Sequence, residues 1–576
     1  MMDVLQSIAV VAANAAMPGS GILVNGGFDL LKVCIEIAQV LSGMEQSASS
    51  VKAQHENIEG DVEEFSYMLE LLNNVTNKHT LSEGLQKTIL QFESDVKEYD
   101  RVMAKFKKKT LVKQLIFHAD MDAASVRTKK TIVKLKERLG LECSIDSNKV
   151  AVFRSPSEEL KLREKRYMAQ VDSQEVVSEM ADVDTQKEIL ALLKHVDKRH
   201  GDPVVSVIKE KLRSSSSTEV KNEVNSLPRW FLTEDQVDID ETHTLGFGGD
   251  AKIYRGELLL SKKKTATVAV KISNAKPKRR PDKSKQKFVE LMELWHSRLR
   301  HRNICKLYGA CYLTKTPFVV MELCGAGPLN KFLRQHESDR SAITFELLYQ
   351  AAQGVLKMHC SGVVHGDLKC DNILVMAEST GAKTSTWQAK ISDFDRSFDW
   401  NALKKAKKNK AQRLEDMAAA GFGIKITGAV PWLAPECVQG RLPSPASDVY
   451  SFGMTMYQAL TGKFPYYHIN SDEALRKCKL EHRLPLREAK LIKGEVWELI
   501  KRTSQPEPFK RPVMLEVMKA LKALKAMSSE HQKQQQPPAG ESDEVQEEEV
   551  ATSVPAGPDV STGSPHSDAD HGRSAV

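Results

Sequence analysis

The first 145 residues place apolar side chains at the spacing of an α-helix rather than a β-strand. Apolar residues recur every three or four positions through 28–41, 65–72 and 85–103, and again through 126–139. Such spacing gives each helix one apolar face, which neighbouring helices can bury. A bundle of four to five antiparallel helices is therefore the simplest fold for residues 1–145.

The regular pattern weakens between the bundle and residue 237. Residues 155–200 mix charges with apolar residues such as Ile189, Leu192 and Val196, which predicts one or two helices bracing the flanking domains. The serine and threonine run at 214–218 is typical of a flexible linker, serving as a spacer or as a phosphorylation target. From residue 527 the chain is rich in Gln, Pro, Ser, Gly and acid, so this tail is predicted to be disordered.

Composition bounds the class of protein. The chain has 576 residues, 41% of them hydrophobic, which is enough for two or three domains with their own cores. No run reaches the ~20 apolar residues of a membrane span. The apolar segment 4–17 follows Asp3, lacks a preceding basic residue and ends at Pro18, so a signal peptide is not expected. Nine cysteines without a C-x-x-C pair favour a reducing intracellular setting over disulfides or a zinc site.

The segment 365–372, which reads HGDLKCDN, carries three side chains that phosphoryl transfer requires. Asp367 can accept the proton of an attacking hydroxyl, Lys369 can neutralise the moving phosphate, and Asn372 can hold a metal ion. Upstream, the stretch 245–254 is glycine-rich, and glycines let backbone N–H groups approach phosphate oxygens. A plain hairpin is the alternative interpretation of that stretch.

The order and spacing of several segments resemble those of the protein kinase family. HGDLKCDN is similar to the catalytic loop, LGFGGDAKIY (245–254) to the glycine-rich loop, VAVK (268–271) to the V-A-I-K strand, and ISDFD (391–395) to the D-F-G segment. APE (434–436) and the apolar strand 318–324 resemble the A-P-E element and the hinge between lobes. Arg511 would pair with Glu436. Trp432 and Lys369 are typical of the tyrosine-kinase-like group of serine/threonine kinases.

The resemblance implies roles for individual residues. Lys271 would contact the nucleotide phosphates, with a solvated strand-end lysine as the alternative. The implied catalytic set is Asp367, Lys369, Lys271 and Glu290. The implied metal ligands are Asn372 and Asp393, for Mg²⁺ or Mn²⁺. The implied ATP-binding residues, with Met321 as gatekeeper, are Leu245, Gly246, Gly248, Ile253, Ala269, Lys271, Met321, Glu322, Cys324 and Leu374.

Four positions depart from the family pattern or leave it open. Glu290 is the preferred helix partner of Lys271, and Glu293, three residues on along the same helix face, is the alternative. Gly366 replaces the usual Arg that pairs with a phosphorylated activation loop, so phosphorylation there, at Ser397 or Thr427, is expected to matter less. Asp395 replaces the Gly of D-F-G, which could stiffen the segment or add a second carboxylate near the metal. Ala429 stands where a Thr usually bridges the catalytic Asp and Lys.

Basic residues concentrate in the second half of the bundle, at 105–113 and 127–138. A solvated helix face is the default interpretation, and an anionic lipid surface is the alternative. Nucleic acid is disfavoured because aromatic stacking partners are few. A helical bundle before a tyrosine-kinase-like domain resembles the mixed-lineage kinase domain-like proteins, and the apolar amino terminus resembles HeLo-type cell-death bundles. This resemblance implies a membrane-perforating, oligomerising bundle in cell-death signalling.

The expected fold is multidomain: a helical bundle (1–145), brace helices and linker (146–236), a bilobal α+β protein kinase domain (237–526) and a disordered tail (527–576). One hypothesis is an ATP-dependent serine/threonine kinase acting on protein substrates. The other is a pseudokinase switch that restrains a membrane-acting or scaffolding bundle. A cytoplasmic location, with membrane association on activation, is expected.

Overall fold

The computed structural model describes most of the chain. Residues up to Lys525 form one compact unit, and a second unit begins at Ala526. None of the described helices combines the length and the apolar run needed to cross a bilayer. The described residues are 30–75, 81–143, 155–196, 201–248, 251–261, 264–273, 281–314, 316–337, 340–378, 386–405 and 429–535.

In the described part of residues 1–145, five helices form the amino-terminal bundle, as the apolar spacing predicts. Their apolar faces meet in one core, where Phe65 packs edge-on against Tyr99 with ring centroids 5.3 Å apart. Ser82 caps the third helix by accepting a hydrogen bond from the Leu85 N–H. The helices are α1 (Leu30–Ala48), α2 (His55–Val75), α3 (Glu83–Lys107), α4 (Leu111–Ile116) and α5 (His118–Cys143).

Within 155–196 and 201–236, which the structure describes, five brace helices follow, where the sequence predicted one or two connecting helices and a linker. The run 214–218 is a helix junction rather than a flexible linker, because Ser215 ends one helix and the Ser217 hydroxyl caps the next through the Val220 N–H. The brace helices are α6 (Pro156–Val171), α7 (Gln174–Ala181), α8 (Val183–Val196), α9 (Pro203–Ser215) and α10 (Thr218–Asn225).

A buried polar network fixes the first brace helix to the bundle. Arg163 of α6 is 1% exposed, and its guanidinium lies 2.5 Å from Asp61 of α2 and 3.3 Å from Asp122 of α5. The Tyr167 hydroxyl donates to Asp122 at 2.8 Å, and Lys129 lies 3.0 Å from Asp61. Because each buried charge has an opposite charge beside it, removing one partner would leave another unpaired.

A five-stranded antiparallel sheet with the order β1-β2-β3-β5-β4 follows the brace. Ala191 of α8 and Val224 of α10 join the apolar cluster on one face of this sheet. Apolar residues of helix α11 (Pro281–Arg298) belong to a second apolar cluster, which includes residues on the opposite face of the sheet. The strands are β1 (Val237–Gly248), β2 (Ala251–Ser261), β3 (Lys264–Ser273), β4 (Leu307–Cys311) and β5 (Phe318–Glu322).

The remainder of the described chain is mainly helical, with two small sheets of order β6-β8-β9 and β10-β7. The predicted Glu436–Arg511 ion pair is confirmed, with two contacts of 2.6 and 2.8 Å. The strands are β6 (Gly327–Pro328), β7 (Val363–Val364), β8 (Ile373–Glu378), β9 (Thr386–Ile391) and β10 (Phe398–Asp399). The helices are α12 (Leu329–Gln335), α13 (Arg340–Cys360), α14 (Trp400–Lys405), α15 (Pro435–Val438), α16 (Pro445–Thr461), α17 (Asp472–Leu480), α18 (Gly494–Thr503) and α19 (Met514–Gln535).

Two sequence predictions fall wholly or largely outside the described residues. Thr427, a predicted phosphorylation site, is one of them. The polar tail is the other, since helix α19 continues to Gln535 and the chain from 536 onwards is not described.

Candidate active site

The catalytic loop, residues 365–372, is held by one buried carboxylate. Asp448 of α16 is 1% exposed and accepts the backbone N–H groups of His365 at 2.8 Å and Gly366 at 2.9 Å. Gly366 has φ +78°, and a Cβ there would lie 3.1 Å from the Arg396 carbonyl oxygen. Glycine at this position therefore fits a backbone conformation that a side chain would strain.

The three reactive side chains of the loop converge. Lys369 Nζ donates to Asp367 Oδ2 at 2.9 Å. The Asn372 amide N–H₂ donates to the Asp367 carbonyl at 2.7 Å and to Oδ2 at 3.2 Å. Asp367 and Asn372 are largely buried. One carboxylate is thus positioned by a cation and an amide.

Ala429 shows how the loop is organised without the usual threonine. Its side chain is a buried methyl group that cannot bridge two polar residues. The direct 2.9 Å bond between Lys369 and Asp367 joins the two groups that such a threonine would link. The departure at this position therefore does not separate the catalytic Asp from the Lys.

Lys271 lies on β3 opposite Val319 of β5, with its ammonium between two carboxylates. Nζ lies 2.8 Å from Asp393 Oδ1 and 2.7 Å from Asp395 Oδ2. Burial by itself would lower the pKa of Lys271, but the charges of Asp393 and Asp395 raise it above its usual value. For Asp393 the two effects have the opposite signs: burial by itself would raise its pKa, but the charge of Lys271 holds that pKa below its usual value. Both groups are therefore charged at neutral pH.

The segment that carries Asp393 is fixed by its neighbours. Asp393 has φ 61° and ψ 70°, a left-handed conformation that Asp tolerates better than most residues. Phe394 is 1% exposed and packs against Trp295 of α11 with ring centroids 4.6 Å apart. Ser397 is buried and its hydroxyl donates to the His365 carbonyl, so it is not presented as a phosphorylation site in this conformation.

The expected adenine side of the site is assembled from the sheet and the hinge. Gly246 pairs with Ile253 and Gly248 with Ala251, so the glycine-rich stretch is a hairpin, whereas residues 249 and 250 are not described. Ala269 of β3 lies opposite Met321 of β5. The remaining hinge and floor residues predicted to bind ATP occupy β5, the segment after it, and β8: they are Glu322, Cys324 and Leu374. Leu245, at the entrance, is 48% exposed.

The two glutamates considered as helix partners of Lys271 are joined to other groups. Glu290 is exposed and accepts a hydrogen bond from Gln286 at 3.0 Å. Glu293 accepts one from the indole N–H of Trp230 at 2.8 Å. Among the described residues, the ion pairs of Lys271 are those with Asp393 and Asp395. The structure thus does not form the expected Lys271–Glu290 pair, since Glu290 is exposed and bonded to Gln286 while Asp393 and Asp395 lie beside the ammonium.

Trp230 is a buried residue that the sequence did not indicate, because it lies in the segment predicted as a linker. It is 1% exposed, and its carbonyl accepts a hydrogen bond from the Ala310 N–H of β4 at 3.1 Å. A large aromatic residue shortly after Pro228 in an otherwise polar stretch is the signal that could have indicated burial.

The oxygen groups at the site fit a magnesium ion. The Asn372 amide directs its nitrogen to Asp367, so its oxygen faces away from that carboxylate. The Asp393 carboxylate is charged and shares the site. Amide and carboxylate oxygens are ligands that Mg²⁺ prefers.

Comparison with known proteins agrees with this geometry. Residues 239–521 match the family described as "Protein tyrosine and serine/threonine kinase". This stretch is a protein kinase domain. It is similar to the mitogen-activated protein kinase kinase kinase dlk-1 of Caenorhabditis elegans, with 32% identity over 235 residues, covering 40% of this chain and 20% of that protein.

Two further relatives are also mitogen-activated protein kinase kinase kinases. The mitogen-activated protein kinase kinase kinase 10 of Mus musculus is 28% identical over 287 residues, which are 48% of this chain and 27% of the relative. The mitogen-activated protein kinase kinase kinase 11 of Rattus norvegicus is 29% identical over 229 residues, 39% of this chain and 24% of the relative. The aligned stretch thus spans about a quarter or less of each relative's length.

Proposed function

We propose that the chain is an ATP-dependent serine/threonine protein kinase of intracellular signalling. The observation that carries this proposal is the convergence of Lys369 and Asn372 on the Asp367 carboxylate, within 3.2 Å, in a domain where Lys271 also contacts Asp393. The names of the relatives, all of them protein kinases, support protein substrates. The substrate of this chain and its place in a signalling cascade are part of the proposal.

Each residue of the site has a separate role in phosphoryl transfer. Asp367 orients a substrate hydroxyl and accepts its proton, while Lys369, 2.9 Å from that carboxylate, offsets charge on the transferred phosphate. Lys271 turns one of its three N–H donors to the nucleotide phosphates. Asn372 and Asp393 would hold Mg²⁺, which would neutralise phosphate charge when bound. Most of the rate gain would come from positioning and electrostatic stabilisation rather than covalent chemistry.

The test is transfer of radiolabelled phosphate from ATP to the chain itself and to a generic basic protein. Asp367→Asn and Lys271→Met should abolish labelling, in Mg²⁺ and in Mn²⁺. Asp371→Asn, an exposed residue of the same loop that contacts Asn330, is the matched control and should label normally. Equal labelling by wild type and Asp367→Asn, or none by folded wild type, would contradict the proposal.

A second candidate function is restraint of the bundle by the kinase half, and a charged junction favours it. Basic residues at the end of α3 and on α4 face acidic residues at and just before β1. The pairs are Lys105–Asp238 (2.7 Å), Lys108–Glu241 (2.8 Å), Lys113–Glu234 (3.2 Å), Arg101–Asp238 (3.4 Å) and Lys109–Glu234 (3.7 Å). The basic stretch considered for membrane contact is therefore partly neutralised within the chain. Release of this junction would free it for anionic lipid or for a second copy.

A further inference from the structure

The ammonium of Lys271 has two carboxylate partners, of which one is also an expected metal ligand. Asp393 is the residue expected to turn to the metal once nucleotide is present, and a carboxylate cannot serve the metal and the lysine with the same lone pairs. Asp395 Oδ2 lies 2.7 Å from Nζ, and Asp395 is not one of the expected metal ligands. Its side chain is 64% exposed, whereas that of Lys271 is 15% exposed. Asp395 thus reaches the enclosed lysine from the solvent side.

The turn that carries Asp395 gives its side chain a fixed direction. Residues Phe394–Arg396 form a single 3-10 turn, closed by the Ser397 N–H bonding to the Phe394 carbonyl at 2.7 Å. Phe394 is buried on one side of this turn, so Asp395 points away from the core. Glycine at position 395 would leave the turn without a carboxylate.

The helix that faces the site offers Lys271 no replacement in this structure. The hydrogen bonds of Glu293 with Trp230 and of Glu290 with Gln286 direct both carboxylates to other partners. Trp230 is buried, and its backbone is bonded to β4, so Glu293 is tied to a rigid neighbour. If Glu293 turned from Trp230 to Lys271, the buried indole N–H of Trp230 would lose its hydrogen-bond acceptor.

We propose that Asp395 is the positioning residue for Lys271: it keeps the ammonium aimed at the nucleotide phosphates while Asp393 serves the metal. This inference rests on the proposed kinase function. It assigns to the altered third residue of the D-F-G segment the task that the sequence predicted for Glu290.

One readout tests the proposal without requiring phosphate transfer. It is the affinity of the full chain for a non-hydrolysable ATP analogue with Mg²⁺, measured by calorimetry. Asp395→Asn and Asp395→Gly are compared with Glu290→Gln, and with Asp472→Asn, on the exposed start of α17, as a neutral control.

The expected result is that Asp395→Asn and Asp395→Gly each weaken the analogue about fivefold, as for loss of one partly exposed ion pair. If transfer is observed, KM for ATP should rise in the same proportion while KM for the protein substrate stays unchanged. The family-like Asp395→Gly variant would then bind ATP less well than wild type.

Three results would overturn the proposal. One is tighter analogue binding by Asp395→Gly. Another is an analogue affinity that is the same in wild type, Asp395→Asn and Glu290→Gln. The last is loss of affinity in Glu290→Gln with none in Asp395→Asn, which would return the role to the helix glutamate. A wild type that binds the analogue and shows the expected changes, yet transfers no phosphate, would contradict the proposed function but not the pairing of Asp395 with Lys271.

Discussion

The Trp230 indole N–H donates to Glu293 Oε2 at 2.8 Å, and this bond ties helix α11 to the segment that precedes the kinase domain. Trp230 is held in place by its carbonyl, which bonds to the Ala310 N–H. A Cβ on Gly309 would lie 2.4 Å from that carbonyl, so the close approach depends on glycine. On the brace side, Glu223 of α10 lies 2.7 Å from Lys285 of α11. The brace and the helix are therefore mechanically linked.

The first prediction concerns this link. Trp230→Phe keeps the ring but removes the N–H, so Glu293 loses a charge-assisted hydrogen bond. The kinase half should lose about 1–2 kcal/mol of stability. It should also phosphorylate more slowly, because α11 packs on Phe394 through Trp295.

The measurements are tryptophan-monitored urea unfolding and the transfer assay. Trp497→Phe, a change of the same kind in α18, is the control and should leave transfer unchanged. Unaltered stability and transfer in Trp230→Phe would mean that the bond does not support the helix.

The sequence was most informative where a function requires particular residues at a fixed spacing. Asp367, Lys369 and Asn372 lie together because the loop is short, and their contacts follow from that spacing. The carboxylate partners of Lys271 were not predictable, because a motif does not tell which of several carboxylates comes within 3 Å. The sequence predicted Glu290, whereas Asp393 and Asp395 lie beside the lysine in the structure.

The brace was the least predictable part. Its serine run was interpreted by composition, yet Ser217 acts as a helix cap, a role that depends on where the neighbouring helices begin. Arg163 has the sequence context of a surface helix but is fully enclosed. Its burial depends on three carboxylates, Asp61, Asp122 and Glu159, two of them from distant parts of the chain. Periodicity within one helix carries no information about such partners.

Arg163 is the subject of the second prediction. Arg163→Met removes the charge that balances Asp61 and Asp122 while keeping much of the apolar volume. Because the carboxylates stay buried, the variant should lose about 3–5 kcal/mol of stability. Arg166→Met, three residues on, is the matched control. Arg166 is only half-buried and pairs with the exposed Glu56, so its loss should cost about 1 kcal/mol or less.

Unfolding of the bundle and brace can be followed separately from the kinase half. All six tryptophans lie at residue 230 or beyond, so tryptophan fluorescence reports the kinase half and far-ultraviolet circular dichroism reports the helices of both. An equal effect of the two arginine substitutions on the circular dichroism transition would count against the buried network.

The third prediction is a pH dependence centred on His118. Its Nδ1 lies 2.9 Å from Asp122 and its Nε2 3.0 Å from Asp202, and its ring packs on Tyr167. Burial opposes its charge, but the two aspartates raise the pKa of His118 to about 9. A folded pKa above the unfolded value of about 6.5 stabilises the protein fully below pH 6.5. This contribution is lost as pH rises through about 9.

His118→Asn should therefore cost more stability at pH 6 than at pH 9.5, by at most about 3 kcal/mol. Urea unfolding followed by circular dichroism at both pH values measures the difference. The surface residue His468 supplies the control, since His468→Asn should show no such change between the two pH values. A penalty for His118→Asn that grows with pH would reverse the expected sign.

The last prediction concerns the charged junction between the bundle and β1. Individually its exposed pairs contribute little to stability, but together they neutralise several basic residues that would otherwise face solvent. In the full chain, Asp238→Asn with Glu241→Gln removes the acidic partners of Lys105 and Lys108 without adding positive charge. Each freed lysine near an anionic lipid surface contributes about 1 kcal/mol. Binding to vesicles containing phosphatidylserine should therefore strengthen about tenfold or more, and fall again at high salt.

Two comparisons separate release of the junction from a simple change of net charge. Asp472→Asn with Glu473→Gln makes the same change of charge on the exposed start of α17 and should leave vesicle binding unaltered. Adding Lys105→Gln and Lys108→Gln to the junction variant should abolish its gain. If both acidic double variants bind vesicles equally, only net charge matters. If neither binds anionic vesicles even at low salt, the basic stretch is a solvated helix face and the kinase half does not restrain a membrane-acting bundle.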